Sequence, residues 1–87
     1  MKTMTCEQLY NIWSTDPQLI AILDARSSEE YNSRRIPGSI LVERNHLVEK
    51  LSFEVDKLLV VIGMDFLDQT DIDGLSKRQN VIFVKEC

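Results

Sequence analysis

Leu58-Leu59-Val60-Val61-Ile62 is a run of five apolar residues with no polar interruption, closed by Gly63. Successive side chains on a strand point to opposite faces, so such a run buries both faces at once. Its shortness and β-branched residues argue for a strand over a helix. A strand of this kind needs a neighbour on each side and a layer above and below. That requirement points to a parallel sheet covered by helices.

The rest of the chain supplies those parts. Leu19-Ile20-Ala21-Ile22-Leu23 reads as a second strand buried on both faces, Ser39-Ile40-Leu41-Val42 as a third and Val81-Ile82-Phe83-Val84 as the last. Between them lie helical patterns. Thr5 with Gln8 three residues on forms a capping box, followed by Leu9, Ile12 and Trp13 on one face, and Asp16-Pro17 ends that helix. Ser27 with Glu30 repeats the capping pattern and opens a short helix over Ser28 to Ser33. Pro37-Gly38 marks a turn, and Leu47, Val48 and Leu51 suit another short helix. Phe66, Leu67, Ile72 and Leu75 fit a helix loosely, weakened by Gly74.

At 87 residues the chain makes one domain, spanning 1–87. The net charge of −4 argues against nucleic acid or an anionic membrane as partner. Arg34-Arg35, the one basic cluster, is too short to count as a patch. No apolar run approaches the roughly 20 residues of a membrane span, and Met1-Lys2-Thr3-Met4 lacks a signal-peptide stretch. A cytoplasmic location is expected. Cys6 and Cys87 match no metal-ligand spacing, and reduced thiols are the simpler expectation for them.

The segment Ile22-Leu23-Asp24-Ala25-Arg26-Ser27-Ser28-Glu29-Glu30-Tyr31, followed by Arg35-Ile36-Pro37-Gly38-Ser39-Ile40, resembles the rhodanese family. In that family a buried strand runs into Asp-x-Arg, then a short acidic helix with an aromatic, then a His-Ile-Pro-Gly-Ala turn. The resemblance implies an α/β rhodanese-like fold, with a central parallel sheet of four to five strands flanked by helices on both faces. Asp24, Arg26, Glu30, Tyr31, Pro37 and Gly38 are its structural motif residues, with Asp24 and Arg26 expected to form an ion pair. The chain departs at the turn, where Arg34-Arg35 stands in place of Gly-His.

A second departure bears on chemistry. The resemblance implies a cysteine directly after the central strand, in a loop whose N–H groups and following helix stabilise a persulfide anion. Here that loop reads Gly63-Met64-Asp65-Phe66-Leu67-Asp68, with no Cys, Ser or Thr. A thioether neither ionises nor carries a sulfane sulfur, so Met64 is no substitute. Asp65, Asp68, Asp71 and Asp73 crowd the same segment and are expected to repel an anion by about 1 kcal/mol per close exposed pair. No catalytic residue is therefore assigned to the loop.

Asp71-Ile72-Asp73-Gly74 echoes a calcium loop but lacks its bidentate Glu, so no metal and no cofactor are expected. His46 stands alone as a solvated loop residue, and Tyr10 and Trp13 read as packing residues. Two functions remain in view. One is a catalytically inactive rhodanese-like module that docks an unidentified protein through the degenerate loop, with Phe66 and Leu67 as anchors. The other is a sulfurtransferase that uses an atypical thiol, Cys6 or Cys87, or a partner's thiol.

Overall fold

The computed structural model describes residues 1–42 and 56–85. The order is β1 (Thr3–Met4), α1 (Cys6–Thr15), β2 (Ile20–Asp24), α2 (Ser28–Ser33), β3 (Ile40–Leu41), β4 (Leu58–Ile62), α3 (Gln69–Ser76) and β5 (Val81–Val84). Short 3₁₀ turns cover Pro17–Leu19 and Met64–Phe66. The five strands form one sheet in the order β1-β5-β4-β2-β3, and every pairing is parallel.

The uninterrupted apolar run takes the central place its composition demands. Ala21 pairs with Leu59 and Ile22 with Val60 on one side, while Leu59 pairs with Val81 and Val61 with Phe83 on the other. The alternation of side chains then sorts the core into two layers. Leu23, Leu59, Val61 and Phe83 join Leu75 of α3 on one face; Ile20, Ile22, Val60 and Ile62 join Leu9 of α1 on the other. Each such buried side chain contributes about 2 kcal/mol of transfer free energy, so neither face tolerates a polar substitution in the centre.

Local chemistry sets the element ends. Thr5 Oγ1 accepts from Gln8 N at 3.1 Å, and Gln8 Oε1 accepts from Thr5 N at 2.8 Å, which closes the capping box of α1. Ser27 Oγ accepts from Glu30 N at 3.3 Å at the start of α2. Strand β2 begins one residue later than its apolar pattern suggests. Leu19 N donates to Asp16 O in the turn that follows Pro17, and the Leu19 side chain is 56% exposed. Strand β3 is shorter than the Ser39–Val42 run, because Ser39 N is committed to the preceding turn. The weak pattern over Phe66–Leu75 resolves into a 3₁₀ turn, an extended Leu67 and then α3, capped by Asp68 Oδ1 accepting from Asp71 N at 2.9 Å. Strand β1 was not anticipated; two residues carry no periodicity to read. The helix expected around Leu47, Val48 and Leu51, and His46 beside it, lie outside the described residues.

The Ile36-Pro37-Gly38-Ser39 turn is held from two sides. Ser39 N donates to Ile36 O at 3.0 Å, and Gly38 has φ +88°, as a type II turn requires of its third residue. Trp13 Nε1 donates to Pro37 O at 3.1 Å, tying α1 to the turn, and Tyr31 Oη donates to Ser39 O at 2.7 Å, tying α2 to it. Tyr10 packs beside Trp13 with ring centroids 6.1 Å apart and lies mostly in solvent.

Two neighbouring substitutions in this turn should act in opposite directions. A Cβ at Gly38 meets nothing within 4 Å, so Gly38→Ala carries only the left-handed backbone cost, about 1–2 kcal/mol. Ser39 Oγ is buried without a hydrogen-bond partner, so Ser39→Ala should leave stability unchanged or raise it by up to about 1 kcal/mol. Urea unfolding midpoints of the two variants measure both.

Candidate functional site

In open parallel sheets a ligand meets the carboxyl ends of the strands. Here β2 ends at Asp24 and β4 at Ile62, and Ala25 N donates to Ile62 O at 2.9 Å across the gap between them. Asp24 is wholly buried at that junction. Its Oδ1 accepts from Arg26 N and Nε, both at 3.0 Å, and its Oδ2 accepts from Nη2 at 2.8 Å and from Nε at 3.1 Å. Arg26 Nη2 also donates to Arg34 O at the end of α2. The expected ion pair is present, and it joins the end of β2 to the far end of α2. Hydrogen bonding to Asp24 raises the Arg26 pKa above its ordinary value; burial opposes this, and the charges of Asp24 and Glu30 add to it.

Gly63 follows β4 with φ +82° and ψ 38°, in the left-handed region. A Cβ built there falls 2.6 Å from Arg26 Cγ and 3.0 Å from Arg26 N. The second contact is with backbone and cannot be relieved by turning a side chain. A Cβ at this position would therefore need the Arg26 side chain to move and its main chain to give by a few tenths of an ångström, on top of the left-handed backbone cost. Phe66 N donates to Gly63 O at 2.9 Å and Leu67 N to Met64 O at 3.0 Å, so two N–H groups of the loop are spent inside it.

A pocket of about 270 Å³ adjoins the loop, with Arg26, Glu30, Gly63, Met64, Asp65 and Phe66 in its wall. Its charges are mixed. Only Asp65 of the four aspartates lines it; Asp68 caps α3, and Asp73 accepts from Gln69 Nε2 at 2.8 Å. The expected crowd of carboxylates around the loop is thus dispersed along a helix, because three of the four fall at or beyond its cap. Leu67, expected as an exposed anchor, is 8% exposed and belongs to the core beside Leu75 and Phe83. Phe66 and Met64 are half-buried.

Cys6, expected as a reduced thiol, is disulfide-bonded, and Cys87 lies outside the described residues. Among the described residues no three of His, Cys, Asp and Glu are grouped to hold a metal ion, and no helix is long and apolar enough to cross a membrane. Glu29 and Glu30 sit in the first turn of α2. Tyr31 carries the Arg35 guanidinium over its ring, Cζ at 4.7 Å from the centroid. That contact escaped the sequence reading, although an aromatic and a cation four residues apart at a helix end were its visible signal.

A model of the rhodanese-like domain family matches residues 5–85 of the chain. The crystal structure of a rhodanese-related protein from Thermoplasma volcanium is similar with a TM-score of 0.73 and 24% identity, over 98% of this chain and 84% of that one. No curated protein matches the chain. The structural likeness carries the fold, and the family match carries the assignment.

The two positive-φ glycines provide a test of how tightly the loop is packed. Gly63→Ala should destabilise by about 2–4 kcal/mol, clearly more than Gly38→Ala, since overpacking against backbone adds to the conformational cost. Equal losses in the two variants, measured by chemical denaturation, would show that Arg26 yields to a Cβ.

Proposed function

The chain belongs to the rhodanese-like domain family, and we propose that it is a catalytically silent member acting as a protein-interaction or regulatory module. The observation that carries this reading is Gly63. The family's nucleophile is a side chain after the central strand, and here that place has no side chain and is crowded by Arg26, with a Cβ 2.6 Å from Arg26 Cγ and 3.0 Å from Arg26 N. The loop also spends N–H groups on its own 3₁₀ turn, which leaves fewer to face an anion. Charge plays the smaller part, through Asp65 and Glu30 facing Arg26 in the pocket wall.

The loop then offers a modest docking surface. Phe66 and Met64 present half-buried apolar surface beside Asp65 and Arg26, an apolar centre with a charged rim. Leu67 is buried in the core and contributes nothing to that surface.

The rival reading is a sulfur-carrying role for Cys6 or Cys87, which for Cys6 first requires reduction of its disulfide. A thiosulfate-to-cyanide assay on the purified chain separates the two. The wild type should turn over no faster than a Cys6→Ser, Cys87→Ser double variant, and Gly63→Cys should remain inactive and unfold more easily. Turnover by the wild type above the double variant, or by Gly63→Cys, would overturn catalytic silence. Docking is read separately, with a photo-crosslinking residue at position 66 in living cells. A discrete protein adduct absent from a control at Asn11 is expected; identical patterns from both positions would remove the loop as the contact surface.

A further inference from the structure

The departure from the family motif at the turn, Arg34-Arg35, gains a structural meaning that two residues in sequence do not reveal. Arg26, eight positions earlier, comes up beside them at the end of β2. Together with Cys6, Ile36 and Ile62 the three arginines line a cavity of about 340 Å³. It shares Arg26 and Ile62 with the loop pocket but none of that pocket's carboxylates.

The three guanidinium groups are not equivalent. Arg26 is matched by Asp24, the partner in the salt bridge. Arg34 and Arg35 pair with no carboxylate among the described residues. Two adjacent cations without a carboxylate partner oppose the overall sign of a chain of net charge −4, and a bound anion would offset their charge.

Arg35 is also held in position. Its Cζ lies 4.7 Å from the Tyr31 centroid, and the Tyr31 hydroxyl is anchored on Ser39 O at 2.7 Å. A guanidinium over an aromatic ring keeps its in-plane N–H fork for a planar or tetrahedral oxyanion. The Arg34 backbone is fixed as well, its N–H donating to Glu30 O at 2.9 Å and its carbonyl accepting from Arg26. Ile62 is buried and Ile36 half-buried, so the wall between the charges is apolar.

We propose that this cavity binds a small organic anion, with its oxyanion head on Arg34 and Arg35 and a short apolar body against Ile36 and Ile62. The volume lies near the lower end for small-molecule sites, which span about 300–1,000 Å³, and suits a compact ligand. Both a carboxylate and a phosphate head share the required chemistry. The site stands apart from the Gly63 loop, and it holds whether or not that loop docks a partner.

The test is a titration of the full chain followed by amide NMR, with benzoate, phenyl phosphate and inorganic phosphate as probes. Saturable shifts centred on Arg35, Ile36 and Ala25 are expected from at least one of the two aromatic anions, and which one identifies the preferred head. Inorganic phosphate should bind about tenfold more weakly, having no apolar body. Arg34→Gln with Arg35→Gln should weaken the aromatic anion about tenfold while leaving the remaining resonances in place. The single Arg34→Gln, whose side chain holds no element together, should weaken it in the same direction. Absence of saturable shifts, equal binding of inorganic phosphate, retained affinity in the Arg34→Gln variant, or shifts confined to Met64–Phe66 would each overturn the proposal.

Discussion

Much of this structure turns on one buried carboxylate. Asp24 has no contact with water, and an isolated charge in that place would be untenable. It is kept there by four contacts from a single residue, Arg26, two positions later. Removing one member of such a pair typically costs about 3–5 kcal/mol, a large part of the total stability of a domain this size. The pair therefore fixes the course of residues 24–26 as firmly as the sheet fixes β2. Three consequences follow from that fixed course. Arg26 reaches the α2 terminus at Arg34, its main chain closes the space beside Gly63, and its side chain stands between two cavities.

The pair also decides which explanation of the altered loop carries weight. Repulsion by exposed aspartates is worth about 1 kcal/mol per close pair and is screened by salt. A Cβ placed 3.0 Å from a backbone nitrogen that is itself hydrogen-bonded to a buried carboxylate has no comparable escape. Crowding by Arg26 therefore weighs more than charge in the proposed silence of the loop, and dispersal of the aspartates along α3 weakens the electrostatic account further. Acidic residues near a helix start are better explained by the cap and the dipole than by the site they adjoin.

What could be read from the sequence followed from how local its causes are. Strand β4 and helix α2 have the bounds their residues suggest, because two-sided burial and a serine cap act within five or six positions. Leu19 misled because an apolar run shows what is buried on average and not where a proline-initiated turn releases the chain. Leu67 misled for the opposite reason: its place in the core depends on Leu75 and Phe83, far from any pattern it belongs to. The two-residue β1 exists only by pairing with β5 at the other end of the chain, through contacts such as Phe83 N to Lys2 O at 2.9 Å. At the site, the Asp24–Arg26 pair and the glycine at position 63 were visible in the residues. The obstruction at Gly63 and the meeting of Arg26 with Arg34 and Arg35 were not, since both arise from strands that approach only in the folded sheet.

The two departures from the family pattern acquire a common geometry when viewed from Arg26. On one side Gly63 stands without a side chain, closely approached by Arg26. On the other, Arg34 and Arg35 add two charges where the family pattern carries Gly-His. Loss and gain face each other across the same residue, with Ile62 beneath both. A fold that keeps the strand ends in register can shift its electropositive surface by one turn without altering the sheet, because the turn is anchored through backbone carbonyls at Pro37 and Ser39 and not through the arginine side chains. Sequence change at positions 34 and 35 is thus free of the burial that governs Asp24 and of the left-handed backbone that governs Gly38. Surface chemistry at the carboxyl end of the sheet can change there while the Asp24–Arg26 pair stays as it is.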